Sequence, residues 1–240
     1  MQIIQSKLLN KLSGITHGFT TKKEGNLAFH VEDEEKRVLL NHTKLASLMN
    51  YKRETLVHMK QIHSNDVKVI TKNDNFQNPP TCDALITDKR QIPLMVMVAD
   101  CSPILFYDSK KDVIAVAHAG RAGAFNNIVK NVLQTFKDEY DSAMNDIYVS
   151  VGTSIGECCY EVGEEIYKEA KSLGLEYSIS YRENSYYLNV SKILHQQLID
   201  AKIKESNIEF SKECSSCHEK YFSYRGEGKT GRFSAVIYLN

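Results

Sequence analysis

The chain has 240 residues, enough to bury a full core as one large domain or two small ones. Its 30 Lys and Arg balance its 30 Asp and Glu, which argues against a basic nucleic-acid surface or a polybasic membrane-docking face. With 42% hydrophobic residues and no apolar run near the roughly 20 residues a bilayer demands, it reads as an ordinary soluble protein.

The start, Met1 to Lys7, lacks the basic, apolar and small-residue pattern of a signal peptide. The expected location is therefore the cytoplasm, where the six cysteines are thiols or ligands rather than disulfides. Residues 1–30 read as a short strand-rich entry punctuated by Gly14, Gly18 and Gly25, with Thr16 to Lys23 a loop that either lines a cleft or is a surface turn. Glu32 to Met49 reads as a helix, because Val38, Leu39, His42, Leu45, Ala46 and Met49 recur at three- and four-residue spacing. His42 on that apolar face reads as a core histidine.

Thr55 to Ile70 has strand-like ends and a polar middle with two histidines, His58 and His63. Five apart, they would face opposite ways on one regular strand. Asn73 to Thr81 is a loop ending in Pro79-Pro80, and Cys82 to Thr87 is a short strand in which Asp83 sits among apolar neighbours. Next come the apolar runs Leu94 to Cys101 with Ile104 to Tyr107, and Val113 to Gly123. They flank the polar turn Asp108 to Asp112 and read as a pair of buried strands joined by a hairpin. The first run delivers Asp100 and Cys101; the second delivers His118 and a glycine-spaced turn. Polar groups at the ends of buried strands are where mixed folds build sites, and a thiolate beside an imidazole can bind a metal or form a nucleophile–base pair.

Phe125 to Phe136 carries the clearest helical period, so residues 118–123 form a strand-to-helix turn, a place where Arg121 and backbone N–H groups could hold an anion. Ile147 to Val151 is a strand, followed by the polar loop 152–157. Val162 to Leu173 reads as a helix, Tyr186 to Val190 as a strand, and Ser191 as the cap of a helix to Ala201. Phe233 to Leu239 closes the chain as a strand. With no repeat or linker, residues 1–240 read as one domain. Cys214-Ser215-Ser216-Cys217-His218 matches the haem c attachment pattern, but haem attachment belongs to exported proteins and is set aside. As half of a structural zinc site it lacks a second half, since the vicinal Cys158-Cys159 has the wrong spacing; the expectation is a reduced thiol pair.

Taken together, eight segments resemble one family. They are Thr16-His17-Gly18-Phe19, Gln61-Ile62-His63, Asp83 to Thr87, Ala99 to Pro103, His118-Ala119-Gly120, Cys158 to Gly163, Phe222 to Arg225 and Thr230-Gly231-Arg232. The chain resembles the YfiH-type purine nucleoside phosphorylases, also called the laccase-domain family. The resemblance implies an α+β single-domain fold with layered helices and mixed β-sheets, of the α-β-β-α type. It implies one zinc ion on His63, Cys101 and His118. It also implies phosphorolysis of purine nucleosides (adenosine, inosine, guanosine and, as a further candidate, methylthioadenosine) together with adenosine deamination. Purine nucleosides and phosphate would then be the partners, with no nucleic acid or membrane, and the protein a monomer or homodimer. One departure stands out: the family's His-Ala-Gly-Trp-Arg-Gly is here His118-Ala119-Gly120-Arg121-Ala122-Gly123, with the tryptophan gone and the arginine one place earlier.

Two histidines and a thiolate leave a tetrahedral zinc one open position, as catalytic sites do. Asp83 and Asp100 are the expected catalytic acids, with Glu157 a further candidate. Gln61, Arg121 and Arg225 are expected to bind substrate or phosphate, with Arg232 as an alternative. Three rivals are carried: a copper polyphenol oxidase, since copper would also bind these ligands in vitro; a metal-free Cys101–His118 hydrolase; and a non-catalytic zinc-binding module.

Overall fold

A computed structural model describes residues 3–240 of the chain. The strands are β1 (Ile15–Phe19), β2 (Val67–Val69), β3 (Ala84–Thr87), β4 (Leu94–Val98), β5 (Ser102–Asp108), β6 (Val113–Ala119), β7 (Ile147–Val151), β8 (Glu161–Val162), β9 (Ile179–Arg182), β10 (Ser185–Leu188), β11 (Ile208–Phe210) and β12 (Phe233–Leu239). The helices are α1 (Glu35–Met49), α2 (Arg121–Phe125), α3 (Ile128–Tyr140), α4 (Glu164–Ser172), α5 (Val190–Asp200) and α6 (Tyr224–Glu227). Met1 and Gln2, part of the expected strand-rich entry, lie outside the described residues.

The apolar stretch before Asp108 is two strands, not one. β4 belongs to an antiparallel sheet ordered β1-β12-β4, whereas β5 and β6 sit at the centre of a mixed sheet ordered β11-β7-β5-β6-β3-β2. The Asp108–Asp112 turn does join β5 to β6 as expected, in a register running from Asp108↔Val113 to Ser102↔Ala119. The chain changes sheets at Asp100, whose φ of 92° lies in a region that non-glycine residues rarely adopt.

The alternation within these strands explains why they read as continuous apolar runs. In the six-stranded sheet, Ile104, Phe106, Ala115 and Ala117 face helices α3 and α5, packing on Val129, Phe136, Ile193 and Leu194. Their neighbours Leu105, Tyr107, Ile114 and Val116 face the other sheet, meeting Leu94, Val96, Phe233 and Ile237. In that second sheet Met95, Met97, Val236 and Tyr238 point the opposite way, onto Leu45, Ala46 and Met49 of α1. Both faces of both sheets are therefore covered, which removes the polar face an ordinary antiparallel strand would show. The result is an α+β fold in four layers, α-β-β-α. A small sheet ordered β8-β10-β9 lies apart from these two. Among the described residues no helix is long and apolar enough to cross a membrane.

Several local expectations are corrected. Thr16 to Phe19 is not a cleft-lining loop but lies in β1, paired with β12, with His17 buried and accepting the Ser6 N–H at 3.0 Å. Helix α1 starts three residues later than its periodicity suggests, because Asp33 ties the preceding turn by accepting from Asn26 Nδ2 and the Glu34 N–H. The apolar period after Gly123 spans two helices: α2 ends at Phe125, and Asn127 (φ 56°) starts α3 by accepting the Lys130 N–H at 3.0 Å. Helix α4 begins at Glu164 rather than Val162, and Asn189, not Ser191, caps α5. Thr55 to Ile70 contains one strand, β2, at its end; its start makes only an isolated bridge, Val57↔Leu94. His42 is fully buried against Leu27 O at 2.8 Å, as a core histidine should be.

Candidate metal centre

Three separate elements bring His63, Cys101 and His118 together. His118 is the penultimate residue of β6, Cys101 lies just before β5, and the register Ser102↔Ala119 sets the two side by side. His63 comes from the loop before β2, in a left-handed conformation (φ 59°) that breaks the strand alternation separating it from His58. His58 instead packs in an aromatic cluster with His42, Phe29 and Phe76. The ligand atoms of His63, Cys101 and His118 all lie within 4.8 Å of one another, with Cys101 Sγ 3.9 Å from His63 Nε2.

Asp83 organises this triad from behind. It is wholly buried and accepts His118 Nδ1–H at 2.8 Å, the N–H groups of Ile62, His63 and Ser64, and the Ser64 hydroxyl. That fixes the His118 tautomer and leaves Nε2 free for a metal, while the same carboxylate pins the backbone of His63. Burial opposes its charge, but the His118 and Ser64 hydrogen bonds hold the Asp83 carboxyl at about 2. Burial likewise opposes charge on Cys101 and His118. Their mutual attraction nevertheless takes the thiol down to about 6 and, with Asp83, the imidazole up to about 9. A thiolate is the form that a metal needs. Gly120 completes the cradle: a Cβ there would meet Cys101 Sγ at 2.9 Å and His63 Cδ2 at 3.0 Å. The donor set is that of a borderline-soft cation such as zinc, and the residues present fit it.

Asp100 is a second hub. Its Oδ1 accepts the hydroxyls of Ser215 (2.6 Å) and Ser223 (2.7 Å), and its Oδ2 accepts the Arg225 N–H at 2.7 Å. The strained residue at the sheet crossover is thus held by three bonds from the C-terminal segment, next to the cysteine ligand.

These groups open on a cavity of about 420 Å³, within the roughly 300–1,000 Å³ of small-molecule sites. Gln61, Asp100, Arg121 and Arg225 all line it, but they are not equally free. Gln61 bonds both the N–H and the C=O of Met97 through its amide. Arg121 pairs with Glu169 at 2.6 Å. Arg225 donates to Glu161 O at 2.9 Å and lies over the Tyr160 ring. Helix α2 begins at Arg121 itself rather than after Gly123 and is a single short turn. Asp83 is absent from the cavity wall, and Glu157 is bonded away from it to Asn189 and Lys192. His30 carries no sequence signal, and Tyr160 and Tyr224 fall inside two of the family segments with no role assigned; with Arg232 they also line the cavity. No periodicity marks His30, which lies in an irregular segment before α1.

The two other cysteine pairs remain free thiols, but the structure brings them to one place. Cys158, Cys159, Cys214 and Cys217 converge, with all four sulfurs within 4.8 Å of one another. Spacing along the chain hid this, because the two pairs lie on loops that only the fold joins.

Fold and site together define an α+β protein with a two-histidine, one-cysteine centre at the base of a cavity. The profile of the family described as multi-copper polyphenol oxidoreductase laccase matches residues 9–240, and the chain belongs to that family. It is 32% identical to the purine nucleoside phosphorylase YlmD of Geobacillus stearothermophilus, over 94% of this chain and 90% of that protein. It is 35% identical to a purine nucleoside phosphorylase of Clostridium acetobutylicum, over 91% of this chain and 90% of that one. Among solved structures, the YfiH protein of Bacillus licheniformis superposes with a TM-score of 0.90 at 29% identity, covering 97% of this chain and 94% of that one.

Proposed function

We propose that this protein is a zinc-dependent purine nucleoside phosphorylase, cleaving adenosine, inosine, guanosine or methylthioadenosine with phosphate to free base and sugar 1-phosphate. The observation that carries the reading is the convergence of His63, Cys101 and His118 at the base of a cavity walled by Arg121, Arg225 and Arg232. The names of the curated relatives point the same way. His63, Cys101 and His118 would hold the metal, which supplies Lewis acidity at its open position.

The remaining work belongs to the side chains. Phosphorolysis requires a phosphate held against the sugar and a purine stabilised as it leaves. Arg225 and the half-buried Arg232 are the fork-shaped donors assigned to phosphate. Arg121 is the weaker candidate, since Glu169 already neutralises it. Burial raises the Tyr160 phenol, with the Cys101 charge adding to it, so Tyr160 stays a proton donor toward the leaving base. Burial, followed by Arg232 and His118, lowers His30, which keeps it neutral and able to exchange a proton. Asp83 and Asp100 position the ligands and Arg225, and Gln61 shapes the wall. Adenosine deamination at the same centre would need a proton carrier, and His30 is assigned to that role.

A second reading has one observation in its favour. Asp83, His118 and Cys101 are lined up as acid, base and thiol, the order a metal-free cysteine hydrolase would use. His63 has no part in such a triad. The polyphenol-oxidase reading is weaker, because a four-copper oxidase needs many histidines and only two of the chain's eight enter either cluster.

Reaction of metal-analysed protein with adenosine, with and without phosphate, separates these readings. Phosphate-dependent adenine release that disappears in Cys101→Ala is the expected result. Phosphate-independent inosine would indicate deamination alone, and ester or amide hydrolysis that survives chelation would favour the thiol triad.

A further inference from the structure

The geometry points to a second metal site in this chain, a structural zinc held by Cys158, Cys159, Cys214 and Cys217. The four sulfurs lie within 4.8 Å of one another; Cys217 Sγ is 3.3 Å from Cys159 Sγ and 3.5 Å from Cys158 Sγ. A tetrahedral zinc with Zn–S bonds of about 2.3 Å has sulfur–sulfur edges of about 3.8 Å, which falls inside that spread. A disulfide would need about 2.05 Å. The six cysteines are all free thiols here, so no pair has been withdrawn from the set.

The local backbone is built for convergence. Vicinal cysteines on a strand would point to opposite faces, but Cys158 and Cys159 sit in a tight turn closed by Cys159 N–H and Tyr160 N–H donating to Gly156 O at 3.0 Å. Cys214 and Cys217 form a Cys-x-x-Cys turn, the usual half-site of structural zinc. The Gly156 N–H donates to Cys214 Sγ at 3.1 Å. An N–H···S bond of this kind orients a sulfur ligand, as the support around a metal site does. A Cβ on Gly156 would stand 3.1 Å from Cys158 Sγ and 3.3 Å from Cys214 Cβ, so the two loops close tightly over this glycine. The two segments are docked independently by the bridge Ser154↔Cys214 and by Ser215 N–H donating to Ser154 O at 3.0 Å.

A set of four cysteine ligands offers no open position, which marks a structural ion. It clips the loop after β7 to the C-terminal segment, pieces of chain more than fifty residues apart. Both pieces wall the other centre's cavity. Ser215, inside the Cys-x-x-Cys turn, holds Asp100; Tyr160, directly after the vicinal pair, stacks under Arg225. The site is separate from the His63, Cys101 and His118 centre, and it stands or falls without reference to the reaction proposed above.

The test is metal analysis of the full-length protein purified with reductant, paired with zinc X-ray absorption on the Cys101→Ser variant. Two zinc ions per chain are expected in the wild type, one in Cys101→Ser and one in Cys214→Ser/Cys217→Ser. The zinc retained by Cys101→Ser should show four sulfur neighbours. That measurement keeps the site testable even if the double variant fails to fold. A Cys101→Ser protein without zinc, a mixed nitrogen or oxygen shell, iron in place of zinc, or a disulfide at any of the four cysteines in alkylated, unreduced protein would overturn the proposal.

Discussion

At the scale of single residues, the candidate centre depends on groups that are not themselves metal ligands. Asp83 is one. Replacing it with Asn removes the charge facing His118 and leaves part of its hydrogen-bonding shell unmatched, so metal affinity should fall by about 10–100-fold; competition with a chromophoric chelator measures this. Its carboxyl lies at about 2 in the folded protein, below the ordinary 3.8. The stability it contributes is therefore intact above about pH 4 and is lost as the pH falls toward 2. An Asp83→Asn variant should lack that part of the acid transition in denaturant titrations. Gly120 is another such residue. Gly120→Ala should leave the circular dichroism unchanged yet weaken metal binding at this centre, because the added methyl group displaces the Cys101 sulfur or the His63 ring.

At the scale of elements, the break between α2 and α3 is set by one side chain. Asn127 has φ 56° and caps α3. Asn127→Ala loses the cap and meets the left-handed penalty, for a cost of about 1–3 kcal/mol. Asn127→Gly keeps the conformation and should cost less. Urea unfolding of the two variants checks that order; an equal or larger loss for glycine would show that the left-handed conformation at 127 is not what penalises alanine. Helix α3 is held by burial more than by capping. Phe136, fully buried against the six-stranded sheet, should cost about 3–5 kcal/mol when cut to Ala.

At the scale of the whole molecule, the core holds two histidines that must stay neutral. Burial takes His42 and His58 down to about 4 from 6.5. Between those values the unfolded chain binds more protons than the folded one, so stability falls as the pH drops from 6.5 toward 4. The effect reaches at most about 3 kcal/mol per histidine, and it is shared because the two rings lie in one aromatic cluster. Chemical denaturation between pH 7 and 4 should show this slope, and His58→Phe should flatten it. An unchanged slope would assign the acid sensitivity elsewhere.

The same molecule shows what could be read from the order of residues and what could not. Continuous apolar runs marked the buried strands, the 3.6-residue period marked α1 and α3, and the eight motifs carried the family and its layered α+β fold. These are local signals, because each depends on neighbours within about a dozen positions. The change of sheet at Asp100 was invisible: two strands of different sheets, each buried on both faces, leave the same apolar pattern as one long run. His63 could not be told from His58 by spacing, since a left-handed residue cancels the alternation on which that argument rests. The commitment of Gln61 to Met97, the enclosure of Asp83, and His30 at the cavity wall depend on partners dozens to more than a hundred residues away. The four distant cysteines are the plainest case. Their spacing along the chain argued against a site, and only the pairing of the β7 loop with the C-terminal segment brings the sulfurs together, because ligand geometry is a matter of distance through space and not of separation along the chain.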